Sequence, residues 1–136
     1  MGSGAAAVPV TVALADTSLF IAIEQGRALR AAPPPRYHVS VVTLGELRLG
    51  VLSAPDPETS ATRLRTLIAA LEADPLVVDE AVADAWAALR AQQRERGRRL
   101  PLNDSWIAAT AIAHGLPVAT QDDDYDDVPG LEVIKL

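Results

Sequence analysis

The fold is decided by residues 8–18, which read Val-Pro-Val-Thr-Val-Ala-Leu-Ala-Asp-Thr-Ser. The apolar run from Val8 to Ala15 predicts a mostly buried first strand, since β-branched residues favour strands. The run ends at Asp16, and the mostly apolar residues 19–25 predict a short helix directly afterwards. An acidic residue therefore stands at the carboxyl end of the first strand, where open α/β sheets bind their ligands.

Short apolar strands and helices alternate along the rest of the chain. Further strands are predicted at residues 37–42, 76–78, 117–120 and 131–135. The helices are predicted to begin at Thr43, after Asp56, after Asp79 and at Asn103 or Asp104, with Gly97 and Gly115 ending the last two. This alternation predicts an α/β fold with a mainly parallel sheet that helices cover on both faces.

Length and composition indicate one domain. A chain of 136 residues, 49% hydrophobic and 22% charged, is long enough for one core and too short for two comfortable domains. We expect a flexible tail at residues 1–7 and a single domain at residues 8–136. Cysteine is absent, which excludes disulfides, thiolate zinc sites and cysteine nucleophiles.

The sequence predicts no membrane segment, because no apolar run reaches the roughly 18 residues that a span needs. The first 15 residues are apolar and end in Ala13-Leu14-Ala15, which resembles a signal-peptidase site. However, no Lys or Arg precedes this stretch, and Pro9 interrupts it. We therefore expect a cytoplasmic protein, with secretion as the less favoured alternative.

Four acidic residues stand at the ends of separate predicted strands and helices. They are Asp16, Glu46, Asp104 and Asp122. Because the carboxyl ends of parallel strands meet at one crevice, we expect these side chains to converge. Converging carboxylates repel each other unless divalent cations lie between them, and hard oxygen ligands favour Mg²⁺ or Mn²⁺. Such sites usually handle phosphates.

Each carboxylate also has a purely structural interpretation. Asp16 is a possible helix N-cap, and Asp104 lies at a helix start where it complements the dipole. Glu46 follows Thr43 at the spacing of a capping box. Asp122 begins an acidic cluster that fits a solvated turn. From the residues alone, both interpretations remain open.

The net charge of −6 argues against nucleic acid, but the charge is unevenly distributed. Residues 90–99 contain five arginines and one acid, whereas residues 122–127 contain five aspartates and no base. An acidic pocket beside an arginine strip is what a metal-dependent nuclease would show. The alternative is that the arginines only solvate a helix end, where cations also complement the macrodipole.

Four segments together resemble the PIN-domain ribonucleases, and most closely the VapC-type toxins of bacterial toxin–antitoxin pairs. The segments are Ala15-Asp16-Thr17-Ser18, Val41-Val42-Thr43-Leu44-Gly45-Glu46-Leu47, Asn103-Asp104-Ser105-Trp106-Ile107-Ala108-Ala109 and Thr120-Gln121-Asp122-Asp123-Asp124-Tyr125. The resemblance covers nearly the whole chain. It implies a three-layer α/β/α fold and an endoribonuclease that depends on Mg²⁺ or Mn²⁺.

The resemblance also implies roles for individual residues. It makes Asp16, Glu46, Asp104 and Asp122 the catalytic, metal-binding quartet, with Asp124 as a possible further ligand. Thr17, Ser18, Asn103 and Thr120 would orient these acids or the substrate. The basic strip at residues 90–99, and not the resemblance, supplies the candidates for contacts with the RNA backbone, which are Arg94, Arg96, Arg98 and Arg99.

The implied partners are an RNA substrate, with tRNA among the candidates, and a VapB-type antitoxin. Apolar faces on the helices at residues 43–52 and 57–74 also predict a homodimer, although core packing explains these faces equally well. We expect the antitoxin to cover an apolar groove of the helices at residues 43–52 and 57–74. Two alternatives compete with the ribonuclease. One is another metal-dependent phosphohydrolase or DNA nuclease, and the other is a non-catalytic binding domain in which the acids are caps and turns.

Overall fold

The computed structural model describes residues 12–136, so the predicted tail and the first part of the predicted first strand lie outside the described residues. The strands are β1 (Val12–Ala15), β2 (Arg36–Ser40), β3 (Pro75–Leu76), β4 (Val118–Thr120) and β5 (Val133–Lys135). The helices are α1 (Thr17–Glu24), α2 (Val41–Leu52), α3 (Pro57–Leu71), α4 (Glu80–Arg96) and α5 (Leu102–His114).

The five strands form one parallel sheet in the order β3-β2-β1-β4-β5. Within residues 12–136, the chain first forms the central strand β1, then adds β2 and β3 on one side and finally β4 and β5 on the other. The strand order therefore reverses between β1 and β4, and a crevice forms at such a switch point beyond the carboxyl ends of the strands. Asp16 directly follows β1 at this point.

Helices pack on both faces of the sheet, as the three-layer α/β/α prediction requires. Alternate residues of β1 point to opposite faces, because side chains alternate along a strand. Ala13 and Ala15 join the core beneath α1, α2 and α3, and Leu14 joins the core beneath α4 and α5. All three residues have no exposed surface, so β1 is buried on both faces.

The second predicted strand and the helix after it have different bounds from those expected. The strand ends at Ser40 instead of residue 42, and α2 begins at Val41. The side chain of Ser40 is the N-cap, since its hydroxyl accepts a 3.0 Å hydrogen bond from the backbone N–H of Val42. The prediction that Thr43 opens this helix was wrong, because the run of valines continues the strand pattern past the cap.

Strand pairing shortens two other predicted strands. Pro75 and Leu76 pair with the last two residues of β2, so Val77 and Val78 have no partner strand and are exposed. Likewise β5 pairs only with the three residues of β4, which limits it to Val133–Lys135. The neighbouring strand therefore sets the length of each edge strand.

Most predicted helix ends are confirmed. The carboxylates of Asp56 and Asp79 accept hydrogen bonds from backbone N–H groups in the first turns of α3 and α4. Gly97 and Gly115 end α4 and α5 in the left-handed conformation. Besides α2, the exception is α5, which begins at Leu102 without a side-chain cap, so neither Asn103 nor Asp104 caps it. No helix within residues 12–136 is long and apolar enough to cross a membrane.

Candidate metal centre

The four predicted acids line one cleft of about 350 Å³ at the carboxyl end of the sheet. Asp16 comes from the end of β1, and Asp122 lies two residues after β4. Glu46 lies on the second turn of α2, and Asp104 lies on the first turn of α5. The convergence that the strand-end pattern predicted is therefore present.

Asp16 is held rigidly and is only 1% exposed. Its carboxylate accepts a 2.6 Å hydrogen bond from the Ser18 hydroxyl and a 2.9 Å hydrogen bond from the Thr120 hydroxyl. The Ser18 hydroxyl also accepts a 3.0 Å hydrogen bond from the backbone N–H of Gln121, and the Thr120 hydroxyl accepts one of 2.9 Å from that of Asp122. Asp16 occupies the N-cap position of α1 without a side-chain cap bond, so the capping interpretation does not hold.

Glu46 is oriented by two side chains from other elements. The Thr17 hydroxyl donates a 2.6 Å hydrogen bond to Oε1, and the Asn103 amide donates a 3.3 Å hydrogen bond to Oε2. The capping-box interpretation is wrong, because Ser40 caps α2 and Thr43 lies buried inside it. All four residues expected to orient the acids (Thr17, Ser18, Asn103 and Thr120) contact an acid of the cleft through a hydrogen bond.

Three carboxylates form the tightest group. Asp104, Asp122 and Asp124 each offer one oxygen atom, and these atoms all lie within 4.8 Å of one another. Asp104 and Asp122 are half-buried, and Asp124 is exposed. Oxygens at such separations could share one divalent cation. Asp124 thus lies beside Asp104 and Asp122 at the exposed edge of the acidic group, whereas Asp16 and Glu46 line the cleft itself.

Burial and mutual repulsion make this cleft unfavourable for negative charge. Burial raises the pKa of Asp104 from 3.8 to about 7, with further contributions from the charges of Asp16 and Asp122. Burial also raises the pKa of Asp16 to about 6, against the opposing effect of the Ser18 and Thr120 hydroxyls. The pKa of Asp122 is raised by burial and by the charges of Asp124 and Asp123. A bound cation would remove this repulsion, so the donor set fits a metal ion.

Tyr125 packs beneath this group. Its side chain has no exposed surface, and its hydroxyl has no hydrogen-bond partner that meets strict geometry among the described residues. Burial raises the pKa of the Tyr125 hydroxyl, and the charges of Asp16 and Asp104 raise it further. Tyr125 therefore stays neutral, and its hydroxyl lies next to the Asp104 carboxylate. Its buried ring lowers the local dielectric constant, which strengthens electrostatic attraction to a cation.

Three residues of the site were missed by sequence reasoning. Arg27 and Gln121 line the acidic cleft, and the buried hydroxyl of Thr43 lies 2.9 Å from that of Thr17. Arg27 follows α1 in a loop without a motif, so no sequence signal marks it. Gln121 belongs to the segment 120–125 that carries the family resemblance, and its position between Thr120 and Asp122 could have marked it as a site residue.

The four arginines predicted to contact RNA line two neighbouring hollows, and Arg99 lines both. Arg96, Arg98 and Arg99 line a groove that also contains Asp123 and Asp124. Arg94 lines a different hollow, with Arg90, Gln93, Gly97 and Arg99. Arg98 also forms an ion pair with Asp127 in the acidic loop.

Comparison with known proteins gives the family. The family model for the PIN domain matches residues 13–131, which include β2, β3, β4, nearly all of β1 and all five carboxylates described above. The chain belongs to the PIN-domain family. Within this family it is 54% identical to Ribonuclease VapC4 of Mycobacterium tuberculosis over 129 residues, which are 91% of this chain and 96% of that protein.

Two further relatives agree. Ribonuclease VapC5 of the same organism is 47% identical over 125 residues, covering 89% of this chain and 93% of the relative. The crystal structure of VapBC-5 from M. tuberculosis, a member of the VapBC family of toxin–antitoxin systems, matches with a TM-score of 0.83 and 42% identity. That match covers 94% of this chain and 100% of the other. This PIN-domain protein is thus a member of the VapC ribonuclease group, as the sequence resemblance implied.

Proposed function

We propose that this PIN-domain protein is a metal-dependent endoribonuclease and the toxin of a toxin–antitoxin pair. The observation that carries the proposal is the group of three carboxylates, Asp104, Asp122 and Asp124, at the switch point of the sheet. Its relatives VapC4 and VapC5 are named ribonucleases, which supports RNA as the substrate. We expect the protein to act in the cytoplasm, where tRNA and other RNA molecules are accessible.

The chemistry of the donor set supports Mg²⁺ or Mn²⁺ as the cofactor, because both cations prefer carboxylate oxygens. Asp104, Asp122 and Asp124 would hold the cation, with Asp16 and Glu46 completing its surroundings. When bound, such a cation lowers the pKa of a coordinated water and polarises a phosphoryl oxygen, which promotes hydrolysis of a phosphodiester.

The remaining residues orient the acids. Ser18 and Thr120 fix both oxygens of Asp16 and also hold the backbone that leads to Asp122. Thr17 of α1 and Asn103 of α5 each hold one carboxylate oxygen of Glu46 through a hydrogen bond. This arrangement holds the carboxylates in place before substrate arrives, so binding requires little rearrangement.

The competing interpretations have weaker support. In a non-catalytic domain the acids would serve as caps and solvated turns, yet neither Asp16 nor Glu46 caps a helix through its side chain. A DNA nuclease or another phosphohydrolase would use the same acids. The names of the curated relatives favour RNA over these alternatives.

We further propose that an antitoxin covers the apolar surface formed by α1, α2 and α3. Six large apolar side chains on these helices are exposed, namely Ile23, Leu49, Leu52, Leu64, Ile68 and Leu71. Exposed patches of this kind usually mark an interaction surface. The similar VapBC-5 structure is titled a toxin–antitoxin system, which favours an antitoxin helix as the occupant. A homodimer through part of the same surface remains our prediction.

The test is cleavage of total RNA by the purified protein with Mg²⁺, with Mn²⁺ and with EDTA, beside Asp104→Asn. We expect discrete products that require the metal and disappear in the variant. Mass spectrometry of the preparation establishes that no inhibitor has copurified. Metal-dependent cleavage of DNA but not RNA would favour the phosphohydrolase alternative, and inactivity of a partner-free protein under all conditions would contradict the proposal.

A further inference from the structure

A second concave surface adjoins the acidic cleft. It is a groove of about 360 Å³ between the end of α4 and the acidic loop at residues 121–130. One wall carries Arg96, Arg98 and Arg99, and the other carries Asp123, Asp124 and Asp127. We call this surface the arginine groove.

The arginine groove is connected to the candidate metal centre through one residue. Asp124 lines the groove and also belongs to the group of three carboxylates. Any chain that reaches the carboxylates from this side therefore passes the three arginines. A linear polymer that approaches the metal centre from this side would lie in the groove.

Ion pairs inside the groove leave two of the three arginines unpaired in the described part of the chain. Asp127 is paired with Arg98, and Asp123 is paired with Lys135, whose Nζ also lies 2.9 Å from Asp126. Asp124 would be neutralised by a cation held with Asp104 and Asp122. Within residues 12–136, Arg96 and Arg99 form no ion pair, and both are exposed. These two guanidinium groups are therefore available to an anionic ligand.

The end of α4 explains why Arg94 and Arg96 line different hollows. Gly97 adopts the left-handed conformation at the end of α4, which turns the chain after Arg96. Arg98 and Arg99 thereby line the groove beside Arg96, whereas Arg94 lies one half-turn earlier on the helix and lines the other hollow. Arg94 is thus a natural internal control.

We propose that the arginine groove binds the phosphodiester backbone of a single-stranded RNA segment next to the bond that is cleaved. This inference rests on the proposed ribonuclease function and deepens it. Arginine contacts to phosphates do not depend on the base, so the groove contributes affinity and strand direction instead of base specificity. Arg96 and Arg99 carry the contact, and Arg98 contributes once it leaves Asp127.

The experiment measures binding separately from cleavage. All proteins carry Asp104→Asn, and the probe is a fluorescein-labelled single-stranded RNA of mixed sequence, followed by anisotropy with Mg²⁺ present between 50 and 300 mM salt. The test protein adds Arg96→Ala and Arg99→Ala. The control adds Arg94→Ala and Arg65→Ala, which change the net charge equally at exposed positions outside the groove. Circular dichroism compares the folds.

We expect the test protein to bind at least tenfold more weakly at low salt. The slope of log K against log salt should become shallower by about 1.4, since each phosphate contact to a single strand contributes about 0.7. The control should keep the slope of Asp104→Asn. An unchanged slope in the test protein, or an equal change in the control, would overturn the proposal. Equal competition by polyglutamate of the same charge would also overturn it, because it would indicate a site for acidic peptides.

Cleavage by the protein with an intact Asp104 is measured in parallel. If it cleaves RNA while the test protein retains its salt slope, the groove assignment fails and the ribonuclease function stands. If it cleaves no RNA with any metal, the ribonuclease function itself fails, and that outcome does not depend on the groove variants.

Discussion

The Thr17 hydroxyl lies 2.6 Å from Oε1 of Glu46 and donates a hydrogen bond to it, which ties the first residue of α1 to the middle of α2. Thr17 also contacts the buried Thr43 hydroxyl at 2.9 Å. Two helices that follow different strands are thereby locked at the edge of the acidic cleft. The orientation of Glu46 therefore depends on a residue 29 positions away in sequence.

Replacing Thr17 by Val tests this link. Valine has nearly the same shape but no donor, so Glu46 loses the bond that fixes Oε1. We expect a 10- to 100-fold loss of RNA cleavage, or an equal rise in the Mg²⁺ concentration for half-maximal activity, as is typical when a group that orients a metal ligand is removed. Steady-state cleavage against Mg²⁺ concentration measures this. Thr17→Ser, which keeps the hydroxyl, should retain most activity, and an equal loss in both variants would assign the effect to packing.

Asp124 and Asp123 are adjacent in sequence and differ sharply in environment. Asp124 belongs to the group of three carboxylates, whereas Asp123 pairs with Lys135. We expect Asp124→Asn to weaken Mn²⁺ binding at least tenfold, and Asp123→Asn to leave it within twofold. Isothermal titration of Mn²⁺ into each protein measures both affinities. Similar affinities for the two variants would show that Asp124 is not a ligand.

The contrast between Asp123 and Asp124 shows which features of the site the sequence can predict and which it cannot. Asp16 and Asp122 each follow an apolar run, and parallel strands bring such ends together, so their convergence was predictable. The separate surroundings of Asp123 and Asp124 were not, because they depend on Lys135 and on the path of the loop.

Helix α2 shows the same limit for the fold. Thr43 and Glu46 match a capping box, but Ser40 provides the cap three residues earlier, and a serine inside a valine-rich run gives no strong signal. Arg94 and Arg96 give another example, since both belong to one basic strip in the sequence. The left-handed turn at Gly97 and the position of the acidic loop decide which of them lines the groove.

The raised pKa values predict how stability depends on pH without metal. The folded protein holds protons on Asp104 up to about pH 7 and on Asp16 up to about pH 6, whereas the unfolded chain releases them near 3.8. Between these limits the folded state binds more protons, so the free energy of unfolding must fall as pH rises. We expect the melting temperature in EDTA to be lower at pH 7.5 than at pH 5, and Asp104→Asn to reduce that difference.

Mg²⁺ should reverse this trend. Cation binding requires ionised carboxylates and stabilises the folded state, by about 2.7 kcal/mol when the free ion exceeds its dissociation constant 100-fold. The rise in melting temperature on adding Mg²⁺ should therefore be larger at pH 7.5 than at pH 5. Differential scanning calorimetry at both pH values measures it. An equal rise at both, or the same rise in Asp104→Asn, would place the stabilising ion elsewhere.

Substitutions at two glycines distinguish the effect of backbone conformation on stability from the effect of side-chain packing. A Cβ atom added at Gly45 or at Gly97 would meet no heavy atom within 4 Å, so neither substitution causes a clash. Gly97 has φ of +68°, where an L-residue is strained, whereas Gly45 lies in helical conformation inside α2. We expect Gly97→Ala to lower the free energy of unfolding by about 1 kcal/mol and Gly45→Ala to raise it by about 0.5–1 kcal/mol. Urea unfolding of the metal-free proteins at one pH measures both changes. Space for a Cβ atom is equally available at both positions, so the two changes in the free energy of unfolding should differ in sign. Changes of the same sign would mean that the turn after α4 does not require the left-handed conformation. The arrangement of Arg98 and Arg99 in the groove would then need another cause.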